Sequence, residues 1–179
     1  MVHNLSKVKV AIIIAHGFEQ DEMTEPRKAL EAAGATVHIL SPEKDIVRGW
    51  KNNAWADEFE VTVSMDKARA QDYDALLLPG GVMNPDKLRI LPLVIRFVNE
   101  FATAGKPIAS ICHGPWTLIN ADAVKDRTMT SWPSLQKDLE NAGATWIDKE
   151  VVRDGNFVTS RKPEDLPAFN GTMIELFAE

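Results

Sequence analysis

From Val8 to Ala15 the chain is apolar at every position except Lys9, and Ala75 to Leu78 and Pro107 to Ile111 form two further apolar runs. Dense runs without alternation predict strands covered on both faces. A fourth strand is predicted from Thr36 to Leu40. Between these runs the spacing turns helical. Met23, Leu30 and Ala33 mark a helix over Asp21 to Ala33 that stops at Gly34, Pro92 to Ala104 reads as a helix closed by Gly105, and Ser134 to Ala142 as one closed by Gly143. Glycine just past the last periodic residue is the usual helix stop. A further helix follows Ile111 and runs to about Ala121, and Pro163 to Phe177 closes the chain as a helix. Arg48 to Met65 is an excursion of two short strand-like pieces, with Glu58 to Val63 alternating at period two. Val151 to Val158 reads as a hairpin around Asp154-Gly155.

Strands that alternate with helices predict an α/β fold, a mostly parallel sheet between two helix layers. Residues 1–179 suffice for a single domain of this kind, with no staple needed. In such a fold functional groups gather beyond the carboxyl ends of the strands. Three segments satisfy that rule: His16 to Glu22, Pro79 to Asp86, and Cys112-His113.

Composition narrows the picture. A net charge of −6, with basic residues scattered among acids, argues against nucleic acid or an anionic membrane surface as partner. Apolar runs fall well short of the roughly 20 residues a membrane helix needs. The first residues lack the apolar core of a signal peptide. The single cysteine allows no internal disulfide, which suits a reducing, cytoplasmic setting. With that one cysteine and four histidines, His3, His16, His38 and His113, no structural metal site is expected, and no motif calls for a cofactor.

The chemistry concentrates at Lys106-Pro107-Ile108-Ala109-Ser110-Ile111-Cys112-His113-Gly114-Pro115. A buried strand stops at the cysteine, and Pro115 suits the first turn of a helix. The arrangement matches a nucleophile elbow, which exposes its nucleophile at a strained strand-to-helix turn. A thiol there faces a helix start and unpaired N–H groups, so thiolate is expected to be favoured. His113 is not expected to reach the sulfur of its own neighbour and calls for a carboxylate to orient it. Asp86 is a candidate for that role. A carboxyl after the first strand would face the elbow, and spacing alone does not choose among Glu19, Asp21, Glu22 and Glu25. Gly80 and Gly81 end a strand, and their amides are candidates to complete an oxyanion hole with the N–H groups after Cys112. Trp116 and Trp132 stand close enough in sequence to wall a pocket. No histidine follows His113, so the downstream His-x-Glu of a glutamine-hydrolysing amidotransferase is missing and glutaminase chemistry is not expected.

Ala109-Ser110-Ile111-Cys112-His113-Gly114-Pro115, Leu78-Pro79-Gly80-Gly81 and the Glu22 segment resemble the PfpI intracellular protease family, which includes bacterial deglycases and sits in the class I glutamine amidotransferase-like superfamily. The similarity runs from Val8 to about Phe177 and includes Asn141 to Ala144, Val151 to Asn156 and Val158 to Arg161. The resemblance implies a flavodoxin-like three-layer sandwich with Cys112 as nucleophile and Glu22 as the carboxyl beside it. It implies that His113 pairs with an acid from a neighbouring subunit, at the position of Asp86, and hence self-association at least to a homodimer. Gly80, Gly81 and Gly114 fall in the oxyanion and substrate-binding segments, and Trp116 stands where other members often carry glutamine. The resemblance implies glyoxalase or deglycase action on methylglyoxal or its protein adducts, or peptide hydrolysis; an alternative of another class, read from a thiol of low proton affinity beside Glu22, is a redox-sensing stress or chaperone protein with an oxidisable Cys112. The expected partner is a small carbonyl compound or a peptide.

Overall fold

The computed structural model describes residues 3–179; Met1 and Val2, part of the expected 1–179 domain, lie outside the described residues. The elements are β1 (Lys9–Ile13), β2 (Phe18–Glu19), α1 (Gln20–Ala32), β3 (Thr36–Ser41), β4 (Ile46–Lys51), β5 (Ala54–Glu60), β6 (Val63–Ser64), β7 (Ala75–Leu78), α2 (Met83–Leu88), α3 (Pro92–Thr103), β8 (Ile108–Ile111), α4 (Pro115–Asn120), β9 (Thr128–Met129), α5 (Gln136–Asn141), β10 (Thr145–Trp146), β11 (Val151–Asp154), β12 (Phe157–Ser160) and α6 (Leu166–Phe177).

A seven-stranded sheet runs in the order β11-β12-β8-β7-β1-β3-β6. All its neighbours are parallel except the β11–β12 hairpin. The core lies in two layers, one on each face. Along β1, Ala11 and Ile13 pack with α3, α4 and α5 through Val94, Phe97, Phe101, Leu118 and Leu139. Val10 and Ile12 face the other way, toward Met23 and Leu30 of α1 and Phe169 and Met173 of α6. This explains the unbroken apolar runs, because a strand covered on both faces has no wet side to mark with polar residues.

Within the Arg48–Met65 excursion, β4 and β5 form a hairpin joined to β2 as a separate three-stranded sheet, while Val63–Ser64 returns as β6, the edge of the main sheet, so the alternating Glu58–Val63 piece is split between the two. Its turn residues Asn52 and Asn53 have φ of 52° and 59°, the left-handed geometry that a tight two-residue hairpin turn requires and asparagine tolerates. Two features go beyond the sequence expectations: the short helix α2 directly after Gly81, and the small β9–β10 ladder. Among the described residues no helix is long and apolar enough to cross a membrane.

Candidate active site

Cys112 follows β8 directly and has φ of 62°, a left-handed conformation that costs a non-glycine residue roughly 1–2 kcal/mol. The backbone around it holds the strain in place. Cys112 N–H donates to the Ser160 carbonyl at 3.1 Å, and its own carbonyl accepts from Trp132 N–H at 3.0 Å. Two glycines make room for the bend. A Cβ on Gly80 would lie 2.6 Å from Cys112 Cβ, and one on Gly114 would lie 2.5 Å from the Leu78 carbonyl oxygen.

Glu22, in the first turn of α1, is fully buried and meets this elbow. Its Oε2 accepts the Gly80 N–H at 2.8 Å. Its Oε1 is buried without a hydrogen-bond partner, and the carboxyl and the Cys112 thiol influence each other's proton affinity. Burial, reinforced by the charge of Glu19, pushes the Glu22 carboxyl up to about 8. At neutral pH the carboxyl is therefore mainly protonated and can carry a proton beside the elbow.

The thiol itself departs from expectation. Burial and the Glu22 carboxylate push Cys112 up rather than down, while hydrogen bonds from the Gly81 and His113 amides pull it part of the way back. The start of a six-residue helix does not outweigh desolvation at a residue only 7% exposed. His113 also corrects the sequence view. Its Nδ1 lies 3.1 Å from Cys112 Sγ, because the left-handed turn at Cys112 brings neighbouring side chains together. Its Nε2 faces Ser134 Oγ at 3.5 Å rather than Asp86, which stands exposed on α2. Burial holds the imidazole down at about 4, so His113 is neutral near pH 7.

The candidate oxyanion donors separate in the same way. The Gly81 amide and the His113 amide point at the sulfur. Gly80 N–H is taken by Glu22, and Gly114 N–H by the Ile111 carbonyl at 2.9 Å, so neither is free for substrate. Trp116 does not line the opening. Its indole N–H donates to Asp138 at 2.9 Å, and its ring supports His113 edge-on at 5.0 Å between centroids. Trp132 takes the wall position and stacks on the other side of His113 at 6.1 Å.

Cys112 and Glu22 form the floor of a cleft of about 490 Å³ that is also lined by Glu19, Trp50, Asn53, Met83 and Trp132. Trp50 and Asn53 belong to the hairpin excursion, and no local sequence signal tied them to the cysteine. Among the described residues no group of three or more His, Cys, Asp or Glu side chains is placed to hold a metal ion. The arrangement can present a thiol to an electrophilic carbon, offer two amides to the oxygen of that carbon, and move a proton through Glu22 or His113.

Known proteins share this framework. The chain is 43% identical to general stress protein 18 of Bacillus subtilis over 170 residues, covering 94% of this chain and 96% of that one. It is 37% identical to Deglycase PfpI of Pyrococcus furiosus over 169 residues, covering 94% and 99%. Among solved structures, a two-domain protein from Anabaena variabilis with DJ-1/ThiJ/PfpI-like and ferritin-like domains superposes with a TM-score of 0.88 at 36% identity, covering 94% of this chain and 47% of that longer one. The model of the DJ-1/PfpI family matches residues 8–176, a span holding the sheet, the elbow and the buried carboxyl, and the chain belongs to that family.

Proposed function

We propose that this protein is an enzyme whose Cys112 attacks carbonyl carbons, and that its substrates are methylglyoxal or the early adducts methylglyoxal leaves on proteins. One observation carries the reading: a thiol on a strained elbow stands beside a buried carboxyl tuned to about 8, with two backbone amides aimed at the sulfur. A carboxyl with that affinity can both give and take a proton near neutrality. The names of two relatives, a deglycase and a general stress protein, point the same way.

Sγ bonds to the aldehyde carbon, and the thiol proton passes through His113 Nδ1 to the aldehyde oxygen, giving a hemithioacetal. The Gly81 and His113 amides hold the developing oxyanion. Glu22, ionised, takes the proton from that carbon and returns it to the adjacent carbon, while the hydroxyl proton on the first oxygen passes through His113 Nδ1 to the oxygen of the second carbon. The first carbon ends as a thioester carbonyl and the second as a carbinol. Water then cleaves the thioester, giving lactate and free thiol.

Peptide hydrolysis asks more of the same groups, because His113 must protonate a leaving amine and needs a partner to orient it. Within one chain its Nε2 has only the long Ser134 contact, so the aldehyde reading takes precedence. Self-association belongs to the proposal: in a homodimer, Asp86, which is exposed on α2, would pair with His113 of the second copy. A monomer by sedimentation at micromolar concentration would remove that part. A thiol that must stay reduced to act fits the cytoplasm.

The test is lactate formation from methylglyoxal by the wild type and by Cys112→Ala. The variant is expected to fall by about 10⁴-fold or more, toward the uncatalysed rate. Equal turnover by both would end the proposal.

A further inference from the structure

Asn84 lies in the first turn of α2, is fully buried and is not part of the cleft lining. Its amide is nonetheless saturated. Oδ1 accepts the N–H of Ala15 at 2.7 Å, just past the end of β1. Nδ2 donates to the Pro79 carbonyl at 3.0 Å and to the Gly80 carbonyl at 3.1 Å. The Gly80 carbonyl also accepts the Glu19 N–H at 3.3 Å, which brings β2 into the same knot.

These two carbonyls are the far ends of peptide groups already met at the site. A trans peptide is planar, and its C=O and N–H point in opposite directions. The Pro79 carbonyl belongs to the peptide whose N–H, on Gly80, holds Glu22 Oε2 at 2.8 Å. The Gly80 carbonyl belongs to the peptide whose N–H, on Gly81, is directed at the Cys112 sulfur. In an extended strand successive carbonyls point to opposite sides. Here both face one amide group, and both N–H groups face the thiol and the carboxyl.

We propose that Asn84 is a positioning residue: by gripping the carbonyl ends of two consecutive peptides, it aims their N–H ends at Glu22 and at the Cys112 sulfur. The proposal deepens the reading of Cys112 and Glu22 as the reacting pair and rests on it. Asparagine suits the position because it supplies one acceptor and two donors at the tip of a short side chain. Aspartate keeps the acceptor and loses both donors. Alanine loses all three bonds; it leaves the Pro79 carbonyl and the Ala15 N–H unpaired and the Gly80 carbonyl with only the Glu19 N–H, in a dry interior where a polar group without a partner is costly.

The experiment uses the full chain with Asn84→Asp and Asn84→Ala. The rate of Cys112 alkylation by iodoacetamide is followed against pH by intact mass, and kcat and KM are measured with methylglyoxal. The midpoint of the alkylation profile is expected to move up by about half a pH unit or more as the Gly81 amide loses its aim. A kcat loss of about 10- to 100-fold, with KM within about threefold, is expected to accompany it. A folded variant whose alkylation midpoint matches wild type overturns the proposal, including the case in which kcat and Tm fall together while the midpoint stays put.

If neither variant folds, the wild-type chain gives an independent measurement. The side-chain amide protons of Asn84 should exchange slowly with solvent, and their NMR signals should shift when Cys112 is alkylated. Rapid exchange, or signals blind to alkylation, overturns the proposal. Because alkylation needs no turnover, failure of the enzymatic reading at Cys112→Ala stays distinguishable from failure of the Asn84 assignment.

Discussion

At the floor of the cleft, Glu22 and Gly80 are buried and Cys112 nearly so; Glu22 is held by the Gly80 N–H, and Cys112 by the Ser160 carbonyl and the Trp132 N–H. At the mouth, Trp132 is 39% exposed, Met83 40% and Val82 56%, and His113 Nε2 has only a long contact to Ser134. The two ends follow different physics. The floor is built from peptide hydrogen bonds and glycine clearances, which leave little room to adapt. The mouth is built from side chains: Trp132, Met83 and Val82 border the opening, while His113 reaches down to the sulfur through Nδ1. Reactivity should therefore be fragile at the floor and selectivity adjustable at the mouth.

Among changes that keep the thiol, the largest effect should come from adding one carbon to the floor. In Gly80→Ala the new Cβ would stand 2.5 Å from Glu22 Oε2 and 2.6 Å from Cys112 Cβ, so the carboxyl or the elbow must move. Displacements near 1 Å cost about 100-fold in rate, and kcat for methylglyoxal is expected to fall by at least that much. A kcat within threefold of wild type would show that the floor is less rigid than these clearances imply.

The next effect lies in pH. Glu22 is raised from 4.5 to about 8, so the folded state holds a proton that the unfolded chain has released, and stability falls as pH rises through that window. His113 is lowered from 6.5 to about 4, so its stability contribution falls as pH drops through that range. The two slopes oppose each other below pH 6.5. Between about 6.5 and 8 Glu22 acts alone, and unfolding free energy should decline by roughly 1.4 kcal/mol per pH unit. Above about 9 the raised Cys112 thiol adds a further decline of the same sign. Denaturant titrations across pH 6.5–8.5 check this, and Glu22→Gln should flatten the slope. A slope that persists in that variant would assign it to another group.

The smallest effect belongs to the mouth. Trp132→Ala removes a wall and the ring stacked on His113, interactions worth about 0.5–1.5 kcal/mol. KM for methylglyoxal should rise by about 3- to 10-fold with kcat within about threefold, as measured by steady-state kinetics. A hundredfold loss of kcat would move Trp132 from the mouth to the floor.

How much of this was legible beforehand follows the same division. The apolar runs of β1, β7 and β8 announced a doubly covered sheet, and Cys112-His113-Gly114-Pro115 announced a bend, because both signals are local. The resemblance picked Glu22 from four acids that spacing could not separate. The assignment of Gly80 and Gly114 amides to an oxyanion could not be tested along the chain, since which N–H is already taken depends on segments far away in sequence. Gly80, for example, is claimed by a carboxyl 58 residues earlier. The thiolate expectation failed for a related reason: a helix start can be read from sequence, but desolvation cannot.

The sequence by itself determined the main order of strands and helices, the cysteine and the bend that carries it, because periodicity and turn chemistry act over a few residues. The tertiary structure decided where the protons rest and which amides are free. It also made the cleft from a distant hairpin and gave Asn84 the task of holding two peptides. Those properties depend on burial and on hydrogen bonds between parts of the chain that meet only after folding.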